Sequence, residues 1–368
     1  MPKVSQVEIF KVNLPFKFAF SHALKKRYIS ESIFVKITLD NGTAGFGESL
    51  PRDYVTGNTQ DSVFKNVCNY AASLKGLNFS SCENGINLVR NLNGIEDEGR
   101  CAVEVALLDC LGKLFTKPVS ELLGKTIKKD INYSFIISAE SLPKTGAVSL
   151  FARTHGYKFI KVKVGLDGDV ARVGLVRRIL PDADIRVDAN GVWDASEALN
   201  MIEKLRQFKI SCIEQPTPKG NNDAMQEVAD FCPEPVIADE SLCTREDALN
   251  LAQIRACDMF NVRLSKCGGI FRSLDIIKIA DGHGLAFQIG CQVGESGILS
   301  AAARHLASIL KNTEYMEGSY SRMLLKEDVI EEDLTPVKGV GYTLEGNGLG
   351  VKVKEEILKK YAIENILI

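Results

Sequence analysis

Five residues with side chains suited to catalysis recur at nearly equal steps along this chain: Lys163, Asp188, Glu214, Asp239 and Arg263. Successive members are 25, 26, 25 and 24 residues apart, and each lies at the end of a short apolar run that a helix-like stretch follows. One strand, one helix and two loops need about this length, and a (β/α)8 barrel repeats that unit around a ring. Because the strand ends of such a barrel converge on one mouth, the spacing predicts that the five side chains face a single pocket.

The three carboxylates in this series predict a metal site. Acids from adjacent strands cannot share a dry pocket as unpaired charges without a large cost, and a divalent cation removes their repulsion. Oxygen ligands without histidine or cysteine beside them favour Mg²⁺, with Mn²⁺ as the alternative, over zinc. Glu240 directly follows Asp239. Because alternation along a strand places one of the two inside, we assign the inner position to Asp239.

A pair of lysines precedes the first carboxylate. Lys161 and Lys163 are separated by one valine, so they share one face of a strand. An edge strand with a solvated lysine face is the alternative interpretation. The apolar flanks of the run and its place in the repeat favour an interior position, which sets a base beside the metal site.

From about Ile131 the chain alternates strand and helix, and these elements must position the reactive groups. Eight strand candidates keep the same period, which favours a closed barrel over an open sheet. The candidates are residues 132–137, 159–164, 185–188, 211–214, 236–239, 260–264, 286–290 and 314–317.

The segment before the barrel has a different pattern. Two alternating runs, residues 4–12 and 32–39, indicate strands, and Asn-Gly at positions 41 and 42 indicates a hairpin turn. Residues 100–115 carry apolar side chains at helical spacing. We therefore predict an α+β domain over residues 1–128, a barrel over 129–335, and a tail over 336–368 that returns to the first domain.

Composition excludes several functional classes. The 368 residues carry a net charge of -2, which gives no electrostatic footprint for nucleic acid or for an anionic membrane surface. No apolar run approaches the roughly 18 residues of a membrane span, and the N-terminus lacks the apolar core of a signal peptide. The ten cysteines contain no CxxC pair, which predicts reduced thiols and a cytoplasmic location.

As a set, the motifs KVKVG, DANG, IEQP and ADES, with a basic residue 24 positions after the last acid, resemble the enolase superfamily in its muconate-lactonizing-enzyme-like branch. That branch includes muconate cycloisomerases, o-succinylbenzoate synthases, N-acylamino acid racemases and dipeptide epimerases. The resemblance covers nearly the whole chain. It implies a (β/α)8 TIM-type barrel with an α+β capping domain built from the N-terminal segment and the C-terminal tail.

The resemblance also implies a chemistry. Mg²⁺ is held by Asp188, Glu214 and Asp239, Lys163 is the base, and Lys161 assists it. The reaction begins with removal of the proton α to a carboxylate, which forms an enediolate that a bound metal stabilises. The substrate is thus a small-molecule carboxylate. Barrels of this kind often assemble, so a homo-oligomer is compatible with the sequence, which shows no interface.

The sixth strand departs from the family pattern. Epimerases and racemases of this branch carry lysine where this chain has Arg263, and arginine holds its proton too firmly to exchange it easily. Lys266 lies three residues further on and reaches the pocket only if the backbone bends. An isomerase (racemase, epimerase or cycloisomerase), a one-base syn-dehydratase of the o-succinylbenzoate synthase type, and a non-catalytic relative therefore all stay open.

Four further residues are candidates for substrate binding. In this family, loops of the capping domain close the barrel mouth, here residues 18–28, which include His22, and residues 51–57, which include Arg52 and Tyr54. Glu295 follows the seventh strand, and Glu317 ends the eighth. The eighth strand lacks the Asp-x-Asp pair with which many dipeptide epimerases hold the substrate ammonium, which counts against a dipeptide with a free amino end.

Overall fold

The computed structural model describes residues 1–21, 26–138 and 141–368. His22 lies outside these ranges. The strands are β1 (Val4–Ser21), β2 (Lys26–Leu39), β3 (Ala44–Ser49), β4 (Asp130–Asn132), β5 (Ser134–Ile137), β6 (Phe159–Lys163), β7 (Asp184–Asp188), β8 (Ile213–Glu214), β9 (Val236–Ala238), β10 (Met259–Val262), β11 (Ala286–Ile289), β12 (Thr313–Met316), β13 (Val340–Tyr342) and β14 (Ala362–Leu367).

The helices follow in the same chain order. They are α1 (Asp53–Thr56), α2 (Gln60–Ala71), α3 (Cys82–Arg90), α4 (Asp97–Leu114), α5 (Val119–Leu123), α6 (Leu142–Thr154), α7 (Asp169–Ile179), α8 (Ala195–Arg206), α9 (Asn222–Phe231), α10 (Arg245–Gln253), α11 (Ile270–His283), α12 (Gly297–Ile309), α13 (Ser321–Leu324) and α14 (Glu355–Tyr361).

The first sheet has the strand order β14-β1-β2-β3 and packs on α4. Gly45 and Gly47 of β3 permit this close packing, because a Cβ at either position would overlap the main chain of α4. The predicted loop over residues 18–28 is strand at both ends, with Phe20 paired to Arg27. Strand β14 pairs with β1, so the C-terminal strand lies in the N-terminal sheet. The domain boundaries at 128 and 335 stay predictions.

Strands β5 to β12 form one parallel sheet in chain order, with a helix after each strand from β5 to β11. Among the described residues, one parallel bridge, Tyr133 to Met316, joins the two ends of the sheet and nearly closes the barrel. The predicted (β/α)8 barrel with an α+β cap is confirmed. The eight predicted strands all form, and most end one or two residues earlier than the apolar runs indicate.

The cap is tied to the barrel mouth by hydrogen bonds to buried polar groups. Glu48 of β3 accepts from Ser296 N at 3.1 Å and Ser296 Oγ at 2.5 Å, and from Leu299 N at 3.3 Å, all at the start of α12. Leu50 N donates to Ser265 Oγ at 2.8 Å. These contacts fix the sheet of the cap over the ends of the barrel strands.

The apolar core runs through both parts of the molecule, and all ten cysteines are free thiols. Within the described ranges, no helix combines the length and apolar character that crossing a membrane requires.

Candidate active site

The strand register brings the predicted residues to one level of the barrel. Lys163 on β6 is in register with Asp188 on β7, which is in register with Glu214 on β8. Arg263 directly follows β10, which lies four strands from β6 in a ring of eight. Its side chain therefore enters from the side of the barrel opposite Lys163.

Both lysines of β6 point into the barrel. Lys163 Nζ lies 2.5 Å from Asp188 Oδ2 and 3.0 Å from Asn190 Oδ1. Lys161 Nζ lies 3.2 Å from the same oxygen of Asp188 and 2.9 Å from Glu214 Oε1. The two lysines thus share Asp188, and Lys161 connects it to Glu214.

Glu317, which follows β12, holds two cations inside the barrel. Its oxygens lie 2.8 and 3.0 Å from Lys161 Nζ, and Oε1 also accepts from Arg186 Nη2. Arg186 Nη1 donates to Ser134 Oγ at 2.7 Å. The sequence suggests substrate binding for Glu317, which lines the pocket between Lys163 and Arg263 and has both its oxygens in ion pairs. Its role in substrate binding stays a prediction. Sequence reasoning missed Arg186, although it stands two residues before Asp188 and so on the same strand face.

Arg263 and Lys266 hold Asp239 from two sides. Arg263 Nη2 donates to Asp239 Oδ2 and lies 3.6 Å from Glu214 Oε1, while Nη1 lies 3.1 Å from Gln292 Oε1. Lys266 Nζ donates to the main-chain oxygen of Asp239 and lies 2.9 Å from Oδ1. Lys266 is buried and is not among the described residues that line the pocket between Lys163 and Arg263.

Glu240 also reaches this pocket. Its Oε1 accepts from Asn190 Nδ2 at 3.1 Å, and its buried Oε2 has no hydrogen-bond partner. Strand β9 ends at Ala238, so the alternation that was used to choose between Asp239 and Glu240 does not extend to them. Both carboxylates face the cluster. Asn190, in the DANG motif, is a second pocket residue, after Arg186, that the sequence analysis does not identify.

The remaining candidates lie at the edge of the pocket or outside it. Tyr54 lines it. Arg52 is buried, and its guanidinium donates to the main-chain oxygens of Pro51 and Val293 at 2.8 and 2.6 Å. Glu295 accepts from Gln292 N at 2.6 Å, and burial raises its pKa to about 8. Glu295 is not among the described residues that line the pocket, and it contacts the loop that follows β11.

Ion pairing decides the charge of the buried carboxylates. Burial favours the protonated form of Asp188, but Lys163 and Lys161 outweigh it and lower the pKa of that carboxyl. Glu214 shows the opposite result, because burial and the negative charge of Asp188 raise its pKa to about 8. The acid with two lysine neighbours thus keeps its charge most firmly.

The same pairing fixes the charge of the cations. Burial lowers the pKa of the Arg263 guanidinium, but Asp239 and Glu240 outweigh that effect and raise it well above its usual value. Lys161 responds in the same way to Glu214. Arg263 is therefore a permanently protonated group at the side of the pocket opposite Lys163.

Three acidic side chains at the strand ends are of the type that binds a divalent cation. Asp188, Glu214 and Asp239 supply carboxylate oxygens from neighbouring strand ends, the ligand type that Mg²⁺ prefers. Lys161 lies between Asp188 and Glu214, and Arg263 lies between Glu214 and Asp239. Each neighbouring pair of carboxylates therefore already shares one positively charged side chain. The carboxylate oxygens contact side-chain nitrogen atoms of lysine and arginine. Accordingly, within the described chain, no group of three or more acidic, histidine or cysteine side chains is arranged to hold a metal ion.

Comparison with known proteins agrees with this geometry. The family model "Mandelate racemase / muconate lactonizing enzyme, N-terminal domain" matches residues 4–124, and "Enolase C-terminal domain-like" matches residues 147–357. The L-Ala-D/L-Glu epimerase of Clostridium acetobutylicum is 30% identical over 333 residues, which cover 89% of this chain and 92% of the relative. The chain belongs to the muconate-lactonizing-enzyme-like branch of the enolase superfamily.

Solved structures of this superfamily have the same fold over the whole chain. The N-succinyl Arg/Lys racemase of Bacillus cereus superposes with a TM-score of 0.92 at 26% identity, and each chain is covered fully. A dipeptide epimerase of Cytophaga hutchinsonii, complexed with Mg and D-Ala-L-Val, has a TM-score of 0.88 at 28% identity, again with full coverage. The predicted family is confirmed, as is an enzyme of the isomerase class, and the family indicates a divalent metal.

Proposed function

We propose that this enolase-superfamily isomerase uses one base. Lys163 removes the proton α to a carboxylate of the cyclic form, and the electrons of the resulting enediolate then form a C=C bond while the ring bond at the β carbon breaks and its oxygen leaves as a carboxylate. Ring closure is the reverse, and Lys163 returns the proton to the same face. The observation that carries this proposal is the pair of groups facing each other across the pocket, Lys163 on one side and the permanently charged Arg263 on the other. A cycloisomerase needs proton transfer on one face only, so the proposal favours cycloisomerase-type chemistry over epimerisation.

Lys163 is the proposed base because its Nζ lies in the pocket and is oriented by Asp188 and Asn190. When it takes the α proton, the electrons of the C–H bond move into the carboxylate and form an enediolate. Lys161 lies deeper and is held by Glu214 and Glu317, so its fixed positive charge lies beneath the reacting carboxylate.

Arg263 is the proposed cation for the developing negative charge. Its guanidinium keeps its proton, so it stabilises charge without donating a proton to carbon. Lys266, which lies behind Asp239, is proposed to position that carboxylate rather than to exchange a proton. Returning the proton on the face opposite Lys163 would require a donor that neither residue provides.

We propose Mg²⁺ as the metal, with Asp188, Glu214 and Asp239 as its ligands and Mn²⁺ as a substitute. When bound, the metal supplies positive charge to the substrate carboxylate and so stabilises the enediolate. Because Lys161 and Arg263 contact the same acids, metal binding must compete with these ion pairs. We therefore expect these ion pairs to lower the affinity of the three carboxylates for Mg²⁺.

The substrate, by the same proposal, is a small-molecule carboxylate. Tyr54 contacts it at the pocket edge, while Arg52 and Glu295 shape the loops around it. A cytoplasmic location, supported by the ten free thiols, and a homo-oligomeric state stay predictions.

Two other outcomes have support. Epimerisation has support from the unpartnered Oε2 of Glu240, which lies in the pocket as a second acid, and from the epimerases among the relatives. Loss of water from a β-hydroxy acid is compatible with the same single base, because syn elimination uses one face of the substrate.

The test is proton exchange in D₂O with Mg²⁺, followed by NMR and chiral analysis, on pooled N-acylamino acids, dipeptides and hydroxy acids. We expect deuterium at the α carbon with retained configuration, and exchange that is about three orders of magnitude slower in Lys163→Ala. Inversion at a rate close to that of exchange would contradict the one-base proposal. Arg263→Lys is the matched variant, and we expect it to gain inversion, because it places an exchangeable proton opposite Lys163.

A further inference from the structure

Gln292 follows β11 and lines the same pocket as Lys163 and Arg263. It is 2% exposed, and a polar side chain that is buried to this degree normally has hydrogen-bond partners. Its Oε1 lies 3.1 Å from Arg263 Nη1. Because a guanidinium has only donors, the amide atom that faces it must be the oxygen, and the nitrogen Nε2 is the other end.

The amide nitrogen is the end of Gln292 that has no partner. Nε2 makes no hydrogen bond to any residue in the described part of the chain. Unlike Arg263 Nε, which is sealed in the interior without a partner, Nε2 keeps contact with the pocket. Arg263 Nη1 also carries a second N–H group beside the one that Gln292 accepts. The two residues therefore supply N–H donors side by side at the pocket.

Hydrogen bonds hold the segment that carries Gln292. Gln292 N donates to Glu295 Oε1 at 2.6 Å, and Glu295 N donates to the main-chain oxygen of Gln292 at 3.1 Å. Arg52, from the cap, donates to the main-chain oxygen of Val293 at 2.6 Å. A side chain on a segment that is fixed in this way loses little conformational freedom when a ligand binds to it.

The chemistry of these two donors selects the group that they bind. An ammonium group has only N–H donors itself, so it finds no acceptor at Gln292 Nε2 or at Arg263. A carboxylate accepts from both donors at once, and hydrogen bonds to an ionised acceptor are the stronger kind. The proposed reaction assigns the α-carboxylate to the metal. The donors are therefore suited to a second carboxylate of the substrate.

We infer that Gln292 is a substrate-binding residue, and that its amide N–H and Arg263 together bind the carboxylate that forms when the ring opens. The inference rests on the proposed function, in which the C–O bond at the β carbon breaks and its electron pair stays on the oxygen. The proton from the α carbon is then on Lys163, and the enediolate electrons form the C=C bond. The open form is a dicarboxylate by the proposed function, and the inference adds the residue that holds its second carboxylate.

Calorimetry with the full chain and Mg²⁺ measures binding without requiring turnover. The probes are hexanedioate, which has the carbon chain of an opened five-membered lactone acid, and hexanoate, which lacks the second carboxylate. Gln292→Met removes the amide from a side chain of similar length and adds no charge. Gln253→Met makes the same change at an exposed position at the end of α10, which is not among the described residues that line the pocket.

We expect the wild type to bind hexanedioate at least about tenfold more tightly than hexanoate, because a hydrogen bond to a charged acceptor contributes about tenfold or more in affinity. Gln292→Met should lower the affinity for hexanedioate by about tenfold and leave that for hexanoate unchanged, while Gln253→Met should change neither. Equal affinity of the wild type for the two probes, or an unaltered preference in Gln292→Met, would each overturn the inference.

Thermal unfolding shows whether Gln292→Met folds, and Gln292→Glu is the second variant. It keeps an oxygen for Arg263, loses the N–H donor and adds a negative charge. It should therefore lower the affinity for hexanedioate by more than tenfold and leave that for hexanoate unchanged. Retained affinity for hexanedioate in Gln292→Glu would overturn the inference.

A double variant separates direct binding from the orientation of Arg263 by Gln292. Arg263→Met leaves Asp239 with Lys266 as its partner. If Gln292 acted only through Arg263, adding Gln292→Met to Arg263→Met would change nothing. We expect the affinity for hexanedioate to fall again in the double variant, because Gln292 donates its own N–H. No further loss would make Gln292 a positioning residue and overturn the inference.

Proton exchange in D₂O separates a failure of this inference from a failure of the proposed function. Exchange that Lys163→Ala slows, together with equal binding of the two probes, would sustain the proposed base and overturn the role of Gln292. Exchange that does not depend on Lys163, together with a preference for hexanedioate that Gln292→Met abolishes, would sustain the binding role and remove the proposed base.

Discussion

Buried carboxylates occur in two regions of this molecule, and they differ in what surrounds them. Asp188 and Asp239 in the barrel face lysine and arginine, which lower their pKa values despite burial. Glu48, at the contact between the cap and α12, accepts hydrogen bonds from serine hydroxyls and main-chain N–H groups, and burial raises its pKa to about 7. The comparison shows that burial alone does not decide the charge of an acid. At Asp188 and Asp239 the neighbouring cations outweigh burial, whereas at Glu214 burial and the charge of Asp188 outweigh Lys161.

This difference separates a reactive region from a structural one. In the barrel, Asp188 and Asp239 retain their charge in a dry space, where electrostatic interactions with a substrate are strong. At the cap contact, a protonated Glu48 still accepts hydrogen bonds and closes the interface without a buried ion. We expect substitutions in the barrel to reduce activity. Substitutions at the cap contact should instead reduce stability by an amount that depends on pH.

Lys163→Ala should produce the largest effect. Removing a general base costs about 10² to 10⁴ in rate, so α-proton exchange in D₂O should fall by about three orders of magnitude. Asp188 keeps Lys161 as a partner, so thermal unfolding should confirm that the variant folds. Glu48→Gln is the control from the other region and should retain exchange. Full exchange by Lys163→Ala would remove the proposed base.

Glu317→Gln tests whether the barrel cluster depends on balanced charge. It leaves Arg186 without its carboxylate partner in the interior, and breaking a buried pair in this way costs about 3–5 kcal/mol of the free energy of unfolding. Chemical denaturation measures the loss. The double variant Glu317→Gln/Arg186→Met removes both charges and should recover part of it, whereas an additive loss would show that the two residues are not coupled.

Much of the barrel cluster was predictable from the sequence, because a barrel imposes its period on the chain. A repeat of about 25 residues placed Lys163, Asp188 and Glu214 at neighbouring strand ends, and alternation placed Lys161 on the same face. The same alternation points to Arg186. It was missed because a lone arginine in a short strand resembles an ordinary polar residue until a buried partner is seen.

Other features depend on the backbone after the strands end, where no period applies. Glu240 enters the pocket beside Asp239 because β9 ends at Ala238. Lys266 turns behind Asp239 because the chain curls after β10, with Cys267 N bonded to Arg263 O. The hydrogen-bond and ion-pair partners of Glu317 and Glu48 lie far from them in the sequence. These partners cannot be predicted from one sequence until the fold is known.

Glu48→Gln should change how stability depends on pH. The pKa of Glu48 is about 7 in the folded protein and 4.5 ordinarily, so the folded state holds this proton more firmly than the unfolded state. Its contribution is therefore complete below about pH 4.5 and is lost as the pH rises through about 7. At about 1.36 kcal/mol per pKa unit, the loss approaches about 3 kcal/mol.

Denaturation of both proteins between pH 5 and pH 8 checks this. The free energy of unfolding of the wild type should fall relative to that of Glu48→Gln as the pH rises. Taking the difference between the two proteins removes the contribution of Glu104, whose pKa burial likewise raises to about 7. A difference that is constant across this range would show that Glu48 does not titrate there.

Ser32→Ala should give the smallest effect, and it also tests whether Glu48 loses its proton between pH 5 and pH 8. Ser32 Oγ donates to Glu48 Oε1 at 3.1 Å, and a hydrogen bond to a neutral acceptor contributes about 1 kcal/mol, against about 1.5–3 kcal/mol for a charged one. The cost of the substitution should therefore rise from pH 5 to pH 8, as Glu48 loses its proton. Ser5→Ala, which removes an exposed hydroxyl bonded to Thr38 O, is the matched control and should cost little at either pH. If Ser32→Ala costs the same at both, Glu48 keeps one protonation state, and the contrast between the two regions then lies in their geometry rather than in their charge.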